Sequence, residues 1–265
     1  MRTGIFLLAL ATAVAADPFE SVPFWADEFD QNGAPDAQRW SYDVGGHGWG
    51  NQELQYYTQD CRQNARVEEG RLIVEAHRDG GKYTSARLVT KGKGDFTYGK
   101  WVVRARLPRG RGTWPAIWLL PSQPPFSGGA WPDNGEIDIM EEVGFDPNLI
   151  HSSIHCKAFN HIDKTQKTAT QRVVDAQEKF HDYVLTWTPE EIRTYIDSDT
   201  QPLFVFRNPH QSWREWPFDQ PFHLILNLAV GGFWGGAQGV DETIWPQRLE
   251  IDSVRYYRWQ PAPAN

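Results

Sequence analysis

Thiols, basic charge, helical periodicity and long apolar runs are all scarce in this 265-residue chain, and each shortage removes a class of protein. Cys61 and Cys156 are the only two cysteines. In an oxidising compartment they can pair or remain as free buried thiols, and their spacing leaves both open. Lys and Arg total 26 against 34 Asp and Glu, for a formal charge of −8. Phosphate binding needs a basic surface, and the chain has no basic stripe, so nucleic acid is excluded as a partner. Beyond the first residues no segment approaches the roughly 20 apolar residues of a membrane-spanning helix. There is no repeat of fixed period, no Ser/Gly linker, no second compositional block and no N-x-S/T sequon. The longest helical candidate, VVDAQEKF at 173–180, is brief.

What is present points to one globular β domain. A chain with 40% hydrophobic and 14% aromatic residues can bury a substantial core, and all-β folds of this length are routinely single domains. The opening MRTGIFLLALATAVAADP has Arg2, an apolar run and small residues up to Ala16, the layout of a secretory signal. Residues 1–16 are therefore expected to be a leader, and 17–265 a soluble, exported domain. The closing QPAPAN reads as a disordered end. RLIVEAH (71–77), WVVRARLP (101–108), HDYVLTW (181–187), EIRTYID (191–197), PLFVF (202–206), FHLILNLAV (222–230) and RLEIDSVRYYRW (248–259) are rich in β-branched and aromatic residues. Gly, Pro, Asn and Asp clusters separate them at the spacing of an antiparallel sandwich or barrel. Thirteen tryptophans and nine tyrosines must be buried or used on a surface. Most of the tryptophans are expected in the core, and the flat faces of any others suit sugar rings.

GEIDIMEEVG, residues 135–144, places four acids within seven residues and separates them with Ile, Ile and Met. In a helix, Glu136 and Glu141 would stand about 140° apart and would not converge. In a regular strand, Glu141 would share the core face with Ile137 and Ile139, and an unpaired buried carboxylate is costly. A β-bulge near Met140 resolves the conflict. It turns Met140 inward with the isoleucines and brings Glu141 to the open face with Glu136 and Asp138. Glu142 would lie roughly 20 Å from Glu136 along an extended strand, too far to act on the same bond. Two carboxyls about 5–5.5 Å apart across a glycosidic bond are what a retaining glycosidase requires, and crowding keeps one of them protonated. The competing readings are a solvated acidic strand and a site for a hard cation.

GEIDIMEEVG resembles the E-I-D-I-x-E signature of glycoside hydrolase family 16, in the bulged form of its laminarinase and mixed-linkage glucanase members. GWGNQELQYYT (48–58), GTWPAIWLLP (112–121), FHDYVLTWTPEEIRTYID (180–197), NLAVGGFWGG (227–236) and IDSVRYYRW (251–259) resemble that family's blocks in its order, over almost the whole mature chain. The resemblance implies an all-β jelly-roll sandwich of two antiparallel sheets with a concave substrate cleft. It implies Glu136 as nucleophile, Glu141 as general acid/base and Asp138 as the carboxyl that tunes the nucleophile. Trp114 and Trp118 resemble tryptophans lining the cleft, and Asn51 and Trp234 resemble sugar contacts. Trp49, Glu53 and Tyr56 are expected as supports, and His155 is expected beside Asp138 on the next strand.

The family resemblance also implies a structural calcium ion away from the cleft, with Glu28, the Gly70 carbonyl and Asp252 as its ligands, and no cofactor for catalysis. The quoted blocks are aromatic and acidic, which suits a neutral β-glucan better than a sulfated galactan. The Met140 insertion argues against the xyloglucan-modifying branch. SSIHCKAFNHIDKTQK, residues 152–167, is expected to form a loop over the cleft. A monomeric, secreted endo-β-glucanase acting on β-1,3 or mixed β-1,3/1,4-glucan is the expected protein. Its rivals are a non-catalytic glucan-binding protein on the same fold, a galactan hydrolase, and a calcium-dependent lectin whose acids converge on an ion.

Overall fold

The computed structural model describes residues 17–123 and 130–261. The expected leader, residues 1–16, and the last four residues of the QPAPAN tail lie outside them. The described residues form eighteen strands and no helix. The 173–180 segment winds instead into a turn, with the Ala176 amide donating to the Val173 carbonyl and the Lys179 amide to that of Asp175. It is too short to repay helix nucleation before the chain enters the His181–Trp187 strand.

The strands divide into two sheets. Ten belong to a sheet whose path runs Phe204–Arg207, Glu191–Ile196, His181–Trp187, Gly99–Arg106, Gln247–Tyr257, Arg71–Asp79, Lys82–Ser85 and Gln55–Tyr57. The other sheet has eight, with Lys167–Arg172, Leu149–His155, Glu136–Glu141, Thr113–Pro121, Phe222–Val230, Arg87–Val89 and Ser41–Tyr42 in order. Pairing is antiparallel except between Gln55–Tyr57 and Lys82–Ser85, which run parallel. The two sheets face each other as a jelly-roll sandwich across one hydrophobic core.

Period-two patterning places the side chains. In Thr113–Pro121, Ile117 and Leu119 enter the core, while Trp114, Ala116, Trp118 and Leu120 face outward into a cleft. Its partner Phe222–Val230 is buried along its whole length. Leu224, Leu226 and Leu228 fill the core, and Asn227 and Ala229 reach the same cleft. These two strands pair over nine consecutive residues, from Thr113 opposite Val230 to Pro121 opposite Phe222. The ladder forms a stiff floor for whatever the cleft holds.

The tryptophans are shared more evenly than the sequence suggests. Trp40, Trp101, Trp187 and Trp216 are buried, and Trp25 and Trp245 pack against the core. Five others gather at the cleft: Trp49, Trp114, Trp118 and Trp131 line it, and Trp234 meets Trp114 edge to face. Cys61 and Cys156 are both free. Cys156 is buried, and burial pushes its thiol up to about 11, so it is a packing residue.

Leu226 is fully buried at the centre of the floor strand. Leu226→Ala should lower unfolding stability by about 2–5 kcal/mol, read as a shift of the denaturation midpoint.

Candidate active site

The bulge sits in the Glu136–Glu141 strand. On one side Ile117 pairs with Met140 while Trp118 pairs with Asp138, so Ile139 is the extra residue. On the other side Asp138 faces Ser153 and Glu141 faces His151, leaving two residues opposite Ser152. Ile137, Ile139 and Met140 all enter the core. The strand keeps its apolar contacts and still turns Glu141 to the face that carries Glu136 and Asp138.

Glu136, Asp138 and His155 form a compact group. Glu136 is directly across from His155 in the ladder. His155 Nε2 lies 3.3 Å from Asp138 Oδ2 and 3.8 Å from Glu136 Oε1. Asp138 is only 2% exposed. The indole of Trp131 donates to Glu136 Oε2 at 2.8 Å, and that of Trp114 donates to Glu141 Oε1 at 3.0 Å. Each glutamate therefore has one oxygen fixed by a tryptophan.

Burial is the main force on these acids. It pushes Glu136 up to about 8, with the charge of Asp138 adding to the rise. Asp138 is likewise pushed to about 8 by burial. Glu141 reaches about 8 through burial and then Asp138. Three neighbouring carboxyls that resist ionisation together retain protons at neutral pH, so the site holds an acid. The next residue, Glu142, is turned away and buried, and accepts from the Asn148 amide and from Gln177 Nε2. Burial pushes it up to about 7.

The cleft has a volume of about 680 Å³ and an aromatic lining. Trp118 Nε1 donates to Asn227 Oδ1 at 2.7 Å, and Asn227 Nδ2 donates to the Tyr57 hydroxyl at 3.1 Å. The Arg87 guanidinium lies between Trp49 and Trp118, 4.8 and 4.7 Å from their rings, and pairs with Asp43 at 2.9 Å. Asn51 donates to Glu53 Oε1, and Gln55 donates to Glu53 Oε2. Trp234 braces Trp114 at 5.4 Å and His151 at 4.9 Å. Tyr56 departs from expectation. Alternation along Gln55–Tyr57 leaves it half-exposed and turned away, and makes buried Tyr57 the support instead.

Some residues escaped the sequence reading. Trp131 touches Glu136 from a turn just before the Glu136–Glu141 strand, and no periodicity marks it. The loop expected over 152–167 is shorter, because residues 152–155 complete the Leu149–His155 strand and Lys167 begins Lys167–Arg172; residues 156–166 between them bring His161 and Ile162 to the cleft. His161 packs against Trp131 at 4.9 Å and His155 at 5.3 Å. Asn160 holds this loop from within: Nδ2 donates to Asp163 Oδ2 and to the Cys156 and Lys157 carbonyls, and Oδ1 accepts from the Asp163 amide.

The acids expected as calcium ligands are engaged by the protein's own groups. Both oxygens of Glu28 accept from Arg255, from Nε and Nη2 at 2.7 Å each. Asp252 lies 3.6 Å from Arg104 Nε. Gly70 occupies the tight turn before Arg71–Asp79, with φ at +73°.

A sandwich with paired glutamates over an aromatic cleft defines a protein built to act on carbohydrate. The model of glycosyl hydrolases family 16 matches residues 49–247, and the chain belongs to that family. It is 53% identical to a beta-glucanase of Rhodothermus marinus, over 98% of this chain and 95% of that one. The X-ray structure of the laminarinase from Rhodothermus marinus superposes with a TM-score of 0.87 at 55% identity, covering 92% of this chain and 98% of the other. SCLam, a non-specific endo-β-1,3(4)-glucanase, matches with a TM-score of 0.85 at 42% identity over 92% of each chain.

Both indole bonds favour the ionised carboxylate. Trp131→Phe should therefore raise the pKa of Glu136, and Trp114→Phe that of Glu141, each read by NMR titration of carboxyl-labelled protein. Stability carries the opposite dependence from salt-bridged acids. These carboxyls have folded pKa values above their unfolded values, so the folded state binds more protons and loses stability as pH rises from about 4 to about 8. Tm should fall across that range, and Glu142→Gln should flatten the part of the fall centred below pH 7.

Proposed function

We propose that the chain is a secreted, monomeric endo-β-glucanase that hydrolyses β-1,3 and mixed β-1,3/1,4-glucans with retention at the anomeric carbon. The observation that carries this reading is the bulge, which puts Glu136 and Glu141 on one face of one strand inside an aromatic cleft. In the first step the Glu136 carboxylate attacks the anomeric carbon and Glu141 gives its proton to the departing glycosidic oxygen. A glycosyl ester on Glu136 results. In the second step Glu141 takes a proton from water, the water oxygen attacks the anomeric carbon, and Glu136 leaves as a carboxylate. Asp138, buried beside the nucleophile, serves as a proton-holding neighbour that stabilises the Glu136 charge when it is released.

The substrate class follows from the lining. Arg87 is the one Lys or Arg among the described residues lining the cleft, and Asp43 offsets it. Sulfated chains would find little attraction there. Neutral glucose rings can lie against Trp114, Trp118 and Trp131, and Asn51 can take a hydroxyl. The names of the Rhodothermus marinus beta-glucanase and of SCLam agree with this choice, and the latter supports acceptance of both linkages. Export would rest on the leader read at residues 1–16.

Purified protein incubated with laminarin, barley mixed-linkage glucan and agarose should release oligosaccharides from the two glucans only. Glu136→Gln should release none, and Glu141→Gln should lose about 10²–10⁴ in rate with the fold intact by circular dichroism. Glucan binding without products from the unaltered chain would make it a binding protein, and full turnover in either variant would remove the assigned roles.

A further inference from the structure

A second chemistry is available to part of this site. Glu136 Oε1, Asp138 Oδ2 and His155 Nε2 all lie within 4.8 Å of one another, with the imidazole nitrogen 3.3 and 3.8 Å from the two oxygens. Ligands at the usual 2.0–2.2 Å from a tetrahedral zinc ion stand about 3.4 Å apart, so the group needs only small movements to close on an ion. Asp138 Oδ2 is the independent sign. It is buried, on a side chain 3% exposed, and the His155 nitrogen 3.3 Å away is not aligned to donate to it. A buried carboxylate oxygen without an aligned donor can take an ion as its partner. Trp131 occupies the other oxygen of Glu136, which turns Oε1 toward His155.

We propose that Glu136, Asp138 and His155 form a binding site for a divalent first-row transition ion, zinc or copper, which inhibits the enzyme by capturing its nucleophile. The donor set selects the class of ion. One imidazole and two carboxylates suit zinc and copper, whereas calcium takes six to eight oxygens, and three ligands cannot supply them. Glu141 lies outside the group, tied to Trp114. The fourth position opens toward the cleft, where a sugar ring and the ion would exclude each other. His155 Nδ1 is buried without a partner, so no acceptor orients the ring from behind, and the affinity should be modest.

The test is calorimetric titration of the full chain with zinc chloride, using binding as the readout. One ion per chain is expected. His155→Gln and Glu136→Gln should each weaken it at least about tenfold, while Glu141→Gln should bind as the unaltered protein does. A β-1,3-gluco-oligosaccharide should weaken zinc binding to the Glu141→Gln protein, which still holds all three ligands. Circular dichroism melts verify that each variant is folded. Absence of binding, or binding that survives both ligand substitutions, would overturn the site whatever the polysaccharide specificity proves to be.

Discussion

The site depends on a conflict between burial and charge along six residues. A strand of strict alternation would carry Glu141 into a core already occupied by Ile137 and Ile139, where a carboxylate has no partner. Placing Ile139 as an extra residue between two ladders removes the conflict, because Met140 takes the inward place and Glu141 the outward one. The neighbouring strands absorb the irregularity on both sides. Core packing therefore determines where the acids point, and the chemistry inherits its geometry from apolar contacts that never meet substrate.

The same burial determines the proton inventory. Glu136, Asp138 and Glu141 sit where burial resists ionisation, and the charge of Asp138 adds to that resistance at the two glutamates. Trp114 and Trp131 work in the opposite sense by donating to the charged forms. An acid can then persist in the site at neutral pH. The cost is stability: a fold that excluded these acids would have less reason to weaken as the pH rises.

Most of the architecture was legible because burial on one face leaves a period-two trace. FHLILNLAV coincides with the Phe222–Val230 strand, and HDYVLTW with His181–Trp187. The bulge was legible for a different reason, since only one phase shift puts every acid outside and every apolar residue inside. The position of His155 beside Asp138 was readable from the hairpin interval. Contacts between distant segments left no such trace. Nothing in the chain announces that Trp131 and His161 meet over Glu136, that Arg255 covers Glu28, or that Tyr57 rather than Tyr56 faces inward. These depend on loop paths and on one parallel pairing, which local patterning does not encode.

The 156–166 loop is hung mainly from its own asparagine. Asn160 ties together Cys156, Lys157 and Asp163, so much of the loop's shape is set within the loop. Its outer residues, His161 and Ile162, border the cleft from that self-contained frame. Selection can therefore lengthen, shorten or re-letter this wall without disturbing the packed bulge. The scaffold separates the packed strand that carries the acids from the wall that borders the cleft.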